Sequence, residues 1–157
     1  MNITFRKAQY LDAVDLGPRL RFSDRRELKA AVGTVNPVDV LLEAIDISTV
    51  CWAVQRDGRT EVLLGAAPIE EYTIGSGWML ASDDIYKWRS TFMKLSHYFV
   101  GECHEEYLVL TNYIDDRNRA SQAWLRRLGF IEGKHNPTYG EGRLPFTEYF
   151  SVRNNYV

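Results

Sequence analysis

The chain has 157 residues, the size of one ordinary domain, and its 45% hydrophobic and 25% charged content can bury a full core, which excludes a disordered or fibrous protein. A net charge of −2 with the signs interspersed excludes nucleic-acid binding by bulk electrostatics, which wants a strongly basic face. Aromatic residues make up 13%, a surplus that a packed core explains in large part and an interface in the remainder.

Ile3 to Ala8 alternates apolar and polar residues as a half-buried strand does. The segment from Leu11 starts as a helix and is broken by Gly17-Pro18. A second helical piece follows, with Asp24 as cap, Glu27 three residues on as in a capping box, and Gly33 as its end. The clearest helix start is at Asn36, with Pro37 at the first helical position and Asp39 in the first turn. Val50 to Gln55 and Glu61 to Ala67 read as a hairpin turned by Asp57-Gly58. "YTIGSGWMLAS" is a further strand, in which Gly75 and Gly77 point to a bulge or a close backbone approach.

From Asp83 to about Glu106, Ile85, Trp88, Phe92, Leu95, Phe99 and Cys103 recur every three or four positions as one stripe of a long amphipathic helix. Tyr107 to Ile114 is apolar on both faces, as a central strand covered from both sides is. A helix from about Asn118 to Leu128 turns Ala120, Ala123, Trp124 and Leu128 inward and ends on Gly129 in the left-handed conformation. His135 to Pro145, rich in Pro and Gly, reads as a loop before the final strand "FTEYFSV". With no repeat and no linker, residues 1–157 are expected to form a single α/β domain.

Cys51 and Cys103 each lie in an apolar segment and read as buried free thiols. The first ten residues lack the apolar stretch of a signal peptide, and no run approaches the ~18 apolar residues of a membrane span, so a soluble protein made in a reducing cytoplasm is expected, with no membrane partner. His97 and His104 share a helix without a third ligand on their face, and no metal site is expected.

The order of elements, together with "LTNYIDDRNRASQAWLRRLGF", resembles the GNAT acyltransferase superfamily. The resemblance implies a GNAT-like mixed, mostly antiparallel sheet with flanking helices, whose fourth and fifth strands run parallel and splay apart, the acyl-coenzyme A entering the notch between them. A narrower resemblance, carried by "GWMLASDDI", "NYIDDRN" and "LPFTEYF" among other stretches, is to short bacteriophage GNAT-like proteins labelled acetyltransferase or internal virion protein A. It implies a phage protein in the host bacterial cytoplasm or packaged in the virion, with a virion or host protein as partner.

Measured against the superfamily pattern, the chain departs twice. The stretch matching the glycine-rich phosphate turn, Leu80, Ala81, Ser82, Asp83, Asp84 and on to Lys87 and Arg89, contains no glycine. Its two carboxylates repel a pyrophosphate, while Lys87 and Arg89 attract one. Where many of these enzymes place a tyrosine as general acid, four residues before the Gly-Phe glycine, stands Leu125, which transfers no proton. Tyr113 at the end of the buried strand and Tyr149 on the last strand are the remaining acid candidates. Asp116 either caps the next helix or serves as a base at the strand end, where α/β folds place ligands. Asn118 reads as a cap, and by resemblance belongs among the coenzyme A contacts. Glu27 and Glu43 are further possible bases, which helix periodicity makes exposed or capping residues. "DRNRASQAWLRR" adds a basic cluster able to dock an acidic partner, or simply a solvated helix face. Two functions follow: a degenerate, non-catalytic GNAT-fold phage protein that acts by binding, or an acyl-CoA-dependent N-acetyltransferase with an unorthodox phosphate loop that uses acetyl-CoA.

Overall fold

A computed structural model describes residues 1–153. Seven strands form one sheet: β1 (Ile3–Lys7), β2 (Val50–Arg56), β3 (Arg59–Glu70), β4 (Ile74–Ala81), β5 (Val109–Asp115), β6 (Ile131–Tyr139) and β7 (Leu144–Val152). Among the described residues five α-helices accompany these seven strands: α1 (Tyr10–Leu16), α2 (Phe22–Val32), α3 (Pro37–Ile47), α4 (Arg89–Glu106) and α5 (Arg119–Arg127). The strand order is β1-β2-β3-β4-β5-β7-β6, antiparallel everywhere except between β4 and β5. No described helix is long and apolar enough to cross a membrane.

Local chemistry explains most element ends. Asn36 accepts the Val38 N–H and caps α3 beside Pro37, and Asp57 and Gly58 both take the positive φ angles of the β2–β3 turn. Gly129 closes α5 at φ 88°.

One face of the sheet is covered by α1 and α3, through Leu16, Leu41, Ala53, Leu63 and Leu80. The other is covered by α4 and α5, where Phe99, Phe92 and Trp88 pack on Val54, Val62 and Ala81 while Leu125 and Leu128 pack on Leu110 and Tyr149. Phe92 stacks on Trp124 at 5.8 Å, so the two helices share one aromatic seam. Cys51 and Cys103 are unpaired thiols, and burial pushes both up to about 12.

Four segments depart from the sequence reading. The long helix starts at Arg89 instead of Asp83, because Ser82 accepts the Asp84 N–H and winds Asp83–Lys87 into a 3-10 turn that ends at Trp88. α2 starts three residues early, at Phe22 with Arg21 as its cap residue, so Asp24 is no cap and both Asp24 and Glu27 turn inward. Residues 135–145 form the end of β6, a short turn and the start of β7. Finally, His104, which the sequence offers as a surface or partly packed group, is fully packed: it is 3% exposed, bonded to the Tyr107 carbonyl and the Ser151 hydroxyl, and burial lowers its pKa.

Candidate functional site

β4 and β5 pair only at Ile74–Val109, Gly75–Leu110 and Ser76–Thr111. Beyond these three rungs β4 runs on to Ala81 and β5 to Asp115 with no pairing between them, which is the splay that the family resemblance implies. Ser82 bonds to β3 through the Glu61 carbonyl, so alternation turns the main-chain groups of Ala81 and Met79 away from β3, toward the gap. On the other side Val109 donates to Thr73 next to β4, so Tyr113 and Asp115 face the gap as well. An apolar slot of about 40 Å³ lies under the gap, lined by Gly77, Trp78, Leu110, Asn112, Val100 and Trp124 among others. That volume holds two or three waters.

α2 closes the wide end. The Arg21 N–H donates to the Ala81 carbonyl at 2.9 Å, and the Ala81 N–H donates to Asp24 Oδ2 at 2.9 Å. One turn on, Glu27 Oε1 accepts the Asp115 N–H at 2.7 Å, and its Oε2 accepts from Asn118 Nδ2 at 3.2 Å. Burial pushes the Glu27 carboxyl up to about 7; the negative charges of Asp24 and Asp115 add to this, and the two hydrogen bonds oppose it. Glu27 is therefore not the exposed or capping residue that its helix position suggests. A carboxyl that titrates near neutrality at the wide end of the strand gap is a proton acceptor in waiting.

Burial also raises Asp24, against the pull of Arg21, whose Nε lies 2.8 Å from it. For Asp115 burial acts upward too, but the fork of Arg117 at 2.7–3.0 Å wins and holds it below the usual carboxylate range. Arg21 itself is 3% exposed and reaches the Ser121 hydroxyl at 2.9 Å.

The phosphate-side residues are placed as follows. Leu80 is buried in the α1–α3 face, the main chain of Ala81 is taken by α2, and Ser82 donates its hydroxyl to Glu61. Asn118 is 1% exposed and spends its side chain on the Ser121 N–H and on Glu27. These four are engaged by the protein itself. Lys87 and Arg89 remain exposed at the head of α4. Asp84 does not stand there as a bare charge: Lys87 at 3.1 Å and Arg56 at 2.8 Å hold its pKa down. Two acids, Asp83 and Asp84, thus meet three cations, Arg56, Lys87 and Arg89, and the rim carries a positive surplus. Trp88, 3% exposed, has a buried Nε1 without a hydrogen-bond partner.

The three proton-transfer candidates lie apart. Tyr113 leaves β5 on the α1–α3 side of the sheet and stacks on Tyr139 at 4.9 Å, with Tyr139 on Phe146 at 4.5 Å. Tyr149 is fully buried on the α5 side, its hydroxyl tied to Gln122, Glu132 and Arg126. Asp116 neither caps α5 nor reaches the gap: it bonds the Thr147 hydroxyl at 2.7 Å and His135 Nε2 at 2.9 Å. The sequence offers Glu27 as a possible base but reads it as exposed or capping, reads Asp24 as a cap alone, and gives no sign of Arg21 and Arg56. The one available signal was that Asp24 and Glu27, one turn apart, lie on the side of the helix that carries Ala30, where a carboxylate is poorly solvated.

No protein-family model matches the sequence, and no curated protein does. Solved structures match over nearly the whole chain. Ard1 from Thermoplasma volcanium superposes with a TM-score of 0.75 at 12% identity, covering 97% of this chain and 98% of that one. This is the GNAT fold. Spermidine N-acetyltransferase SpeG from Vibrio cholerae follows at TM-score 0.72 and 12% identity, covering 99% of this chain and 96% of that one. YncA from Salmonella typhimurium, solved with its cofactor acetyl-CoA, follows at 0.69 and 14%, covering 98% and 95%. Such identities carry the architecture and leave the activity to the residues.

Proposed function

We propose that the protein is an acyl-CoA-dependent N-acyltransferase in which Glu27 is the general base. The observation that carries the proposal is the Glu27 carboxyl, pushed up to about 7 and held where β4 and β5 diverge. Neighbours of the same fold that act on spermidine or hold acetyl-CoA support the reaction class. The residues fit acetyl-CoA in two respects. Lys87 and Arg89 beside the first turn of α4, which contains no acid, suit its phosphates. The main-chain edges of Met79 and Tyr113 over an apolar slot suit an amide-bearing arm. At about 40 Å³ the slot is far smaller than an acyl-pantetheine arm, so entry needs its lining to part.

Acetyl-CoA supplies the acyl group as a thioester. Glu27 takes a proton from the acceptor amine as nitrogen bonds to the acyl carbon and the carbon–sulfur bond breaks. The departing thiolate takes up a proton from solvent, because the Tyr113 phenol is stacked on Tyr139 on the α1–α3 side of the sheet, across from the apolar slot. Incubation with acetyl-CoA and a panel of amines, followed by free-thiol release, tests this. Amine-dependent thiol release that Glu27→Gln lowers supports it, and none with any amine overturns it.

A second reading, a GNAT-fold protein that binds a virion or host protein without catalysis, draws on the small slot and on Leu125 at the family's acid position. It keeps the resemblance to phage proteins. Failure to bind acetyl-CoA together with capture of a partner from infected cells is its signature.

A further inference from the structure

Asp24 and Glu27 lie one helical turn apart on α2, and each accepts a main-chain N–H from the last residue of one diverging strand: Asp24 from Ala81 of β4 at 2.9 Å, Glu27 from Asp115 of β5 at 2.7 Å. α2 therefore staples the two arms of the gap across its wide end. A second observation is independent of that geometry. Asp24 is 1% exposed, and its Oδ1 has no hydrogen bond of normal geometry, the Asn118 side chain being the one further polar group that lowers its pKa. A buried carboxylate oxygen so weakly paired is costly, so something other than local stability accounts for it.

We propose that Asp24 is the positioning residue of the Glu27 base: it anchors α2 to β4 and places a like charge one turn from Glu27 that governs the base's proton affinity. The word base rests on the transferase reading; the coupling between the two carboxyls does not. The charges round Glu27 are Asp24, Arg21 and Arg26 from α2 and its head, Asp115 from β5 with Arg117 locked against it, and the phenols of Tyr113 and Tyr139 from β5 and β6. Of the two acids, Asp115 is neutralised by a bidentate arginine, whereas Arg21 meets Asp24 only through Nε on Oδ2. Asp24 is thus the neighbour whose charge Glu27 feels most, in agreement with the order of influences on its carboxyl.

The test is a carboxyl ¹³C NMR titration of the full chain labelled at glutamate side chains, with the Glu27 signal assigned by Glu27→Gln. Asp24→Asn keeps an oxygen for the Ala81 N–H and removes the charge. Its Glu27 midpoint falls by about one pH unit, since the like charge is gone and Arg21 is left unpaired. Arg21→Gln keeps a donor for Asp24 and leaves its charge uncompensated, so the midpoint moves up. Should Asp24→Asn not fold, Arg21→Gln carries the test alone. Opposite shifts support the proposal. Loss of thermal stability with an unmoved midpoint means a purely structural role and overturns it. The acid limb of the transfer pH–rate profile then separates the two claims: a limb that follows the midpoint supports both, and one that stays put while the midpoint moves removes Glu27 as base and leaves the coupling standing.

Discussion

Glu27 shows how one half-buried carboxyl, poorly solvated and close to two other acids, links stability to chemistry. Its folded pKa of about 7 lies above the ordinary 4.5, so the folded state holds the proton more tightly than the unfolded chain does. Its contribution is therefore fully present below pH 4.5 and is lost as pH rises through 7, costing about 3 kcal/mol in alkaline solution. Glu27→Gln carries no charge to bury but gives up one of two accepted hydrogen bonds, worth about 1 kcal/mol. The variant should be more stable than the wild type at pH 8 and no more stable at pH 5, as urea unfolding at the two pH values will read. It should also lose about 10²–10⁴ in transfer rate at pH 8, the usual share of a general base. In the sequence this residue is a possible base that helix periodicity makes exposed or capping. Helical spacing places side chains on faces but does not say which face is sealed; here the seal is made by β5, 88 residues away along the chain.

Among the elements, those whose ends depend on local chemistry could be read directly: α3 from Asn36-Pro37, the β2–β3 turn from Asp57-Gly58, the end of α5 from Gly129. β6 could not. It is an edge strand, exposed along nearly all its length, so it shows no alternation, and Pro137 and Gly133 resemble loop punctuation. Its pairing with β7, irregular at two places, is what makes it a strand. The β6–β7 turn then docks on α2, where Glu141 and Gly142 donate to the Ala31 and Ala30 carbonyls at 3.1 and 2.9 Å. Gly140 makes that contact possible: its φ is +70°, and a Cβ there would meet the Ala30 oxygen and the Ala31 Cα at 2.7 Å. Gly58, at φ +84° with nothing within 4 Å of a Cβ, is the control. Gly58→Ala should cost the backbone strain alone, about 1–2 kcal/mol. Gly140→Ala must cost more, since the turn has to leave α2 as well; chemical denaturation of the two variants side by side measures the gap. Equal costs would mean that the hairpin is not held to the helix that carries Glu27.

At the scale of the whole molecule, the strand–helix order was legible because a parallel pair inside an antiparallel sheet needs a long crossover, and α4 is the one helix long enough to stand out. The phosphate rim was only half legible. Asp83 and Asp84 argue for repulsion in the sequence, but Arg56 arrives from β2, next to β1 at the far side of the sheet, to cancel one of them. Charge at such a rim is a property of the folded surface. The surplus leads to a binding prediction that no single element makes. Acetyl-CoA at one hundred times its dissociation constant should stabilise the chain by about 2.7 kcal/mol. For a domain of this size that is roughly 5–10 °C in Tm. Lys87→Glu reverses one of the three cations, frees Asp84 from one of its two partners and should abolish most of the shift. Arg127→Glu, a solvent-facing charge on α5, is the matched control for net charge and should leave it intact. High salt should weaken the wild-type shift and have little further effect on Lys87→Glu, because the phosphate contact is screened while the apolar slot is not. A shift of equal size in both charge variants would place the ligand elsewhere than at the head of α4. No shift at millimolar ligand would leave the gap between β4 and β5 without an acyl donor, and the fold to the binding role alone.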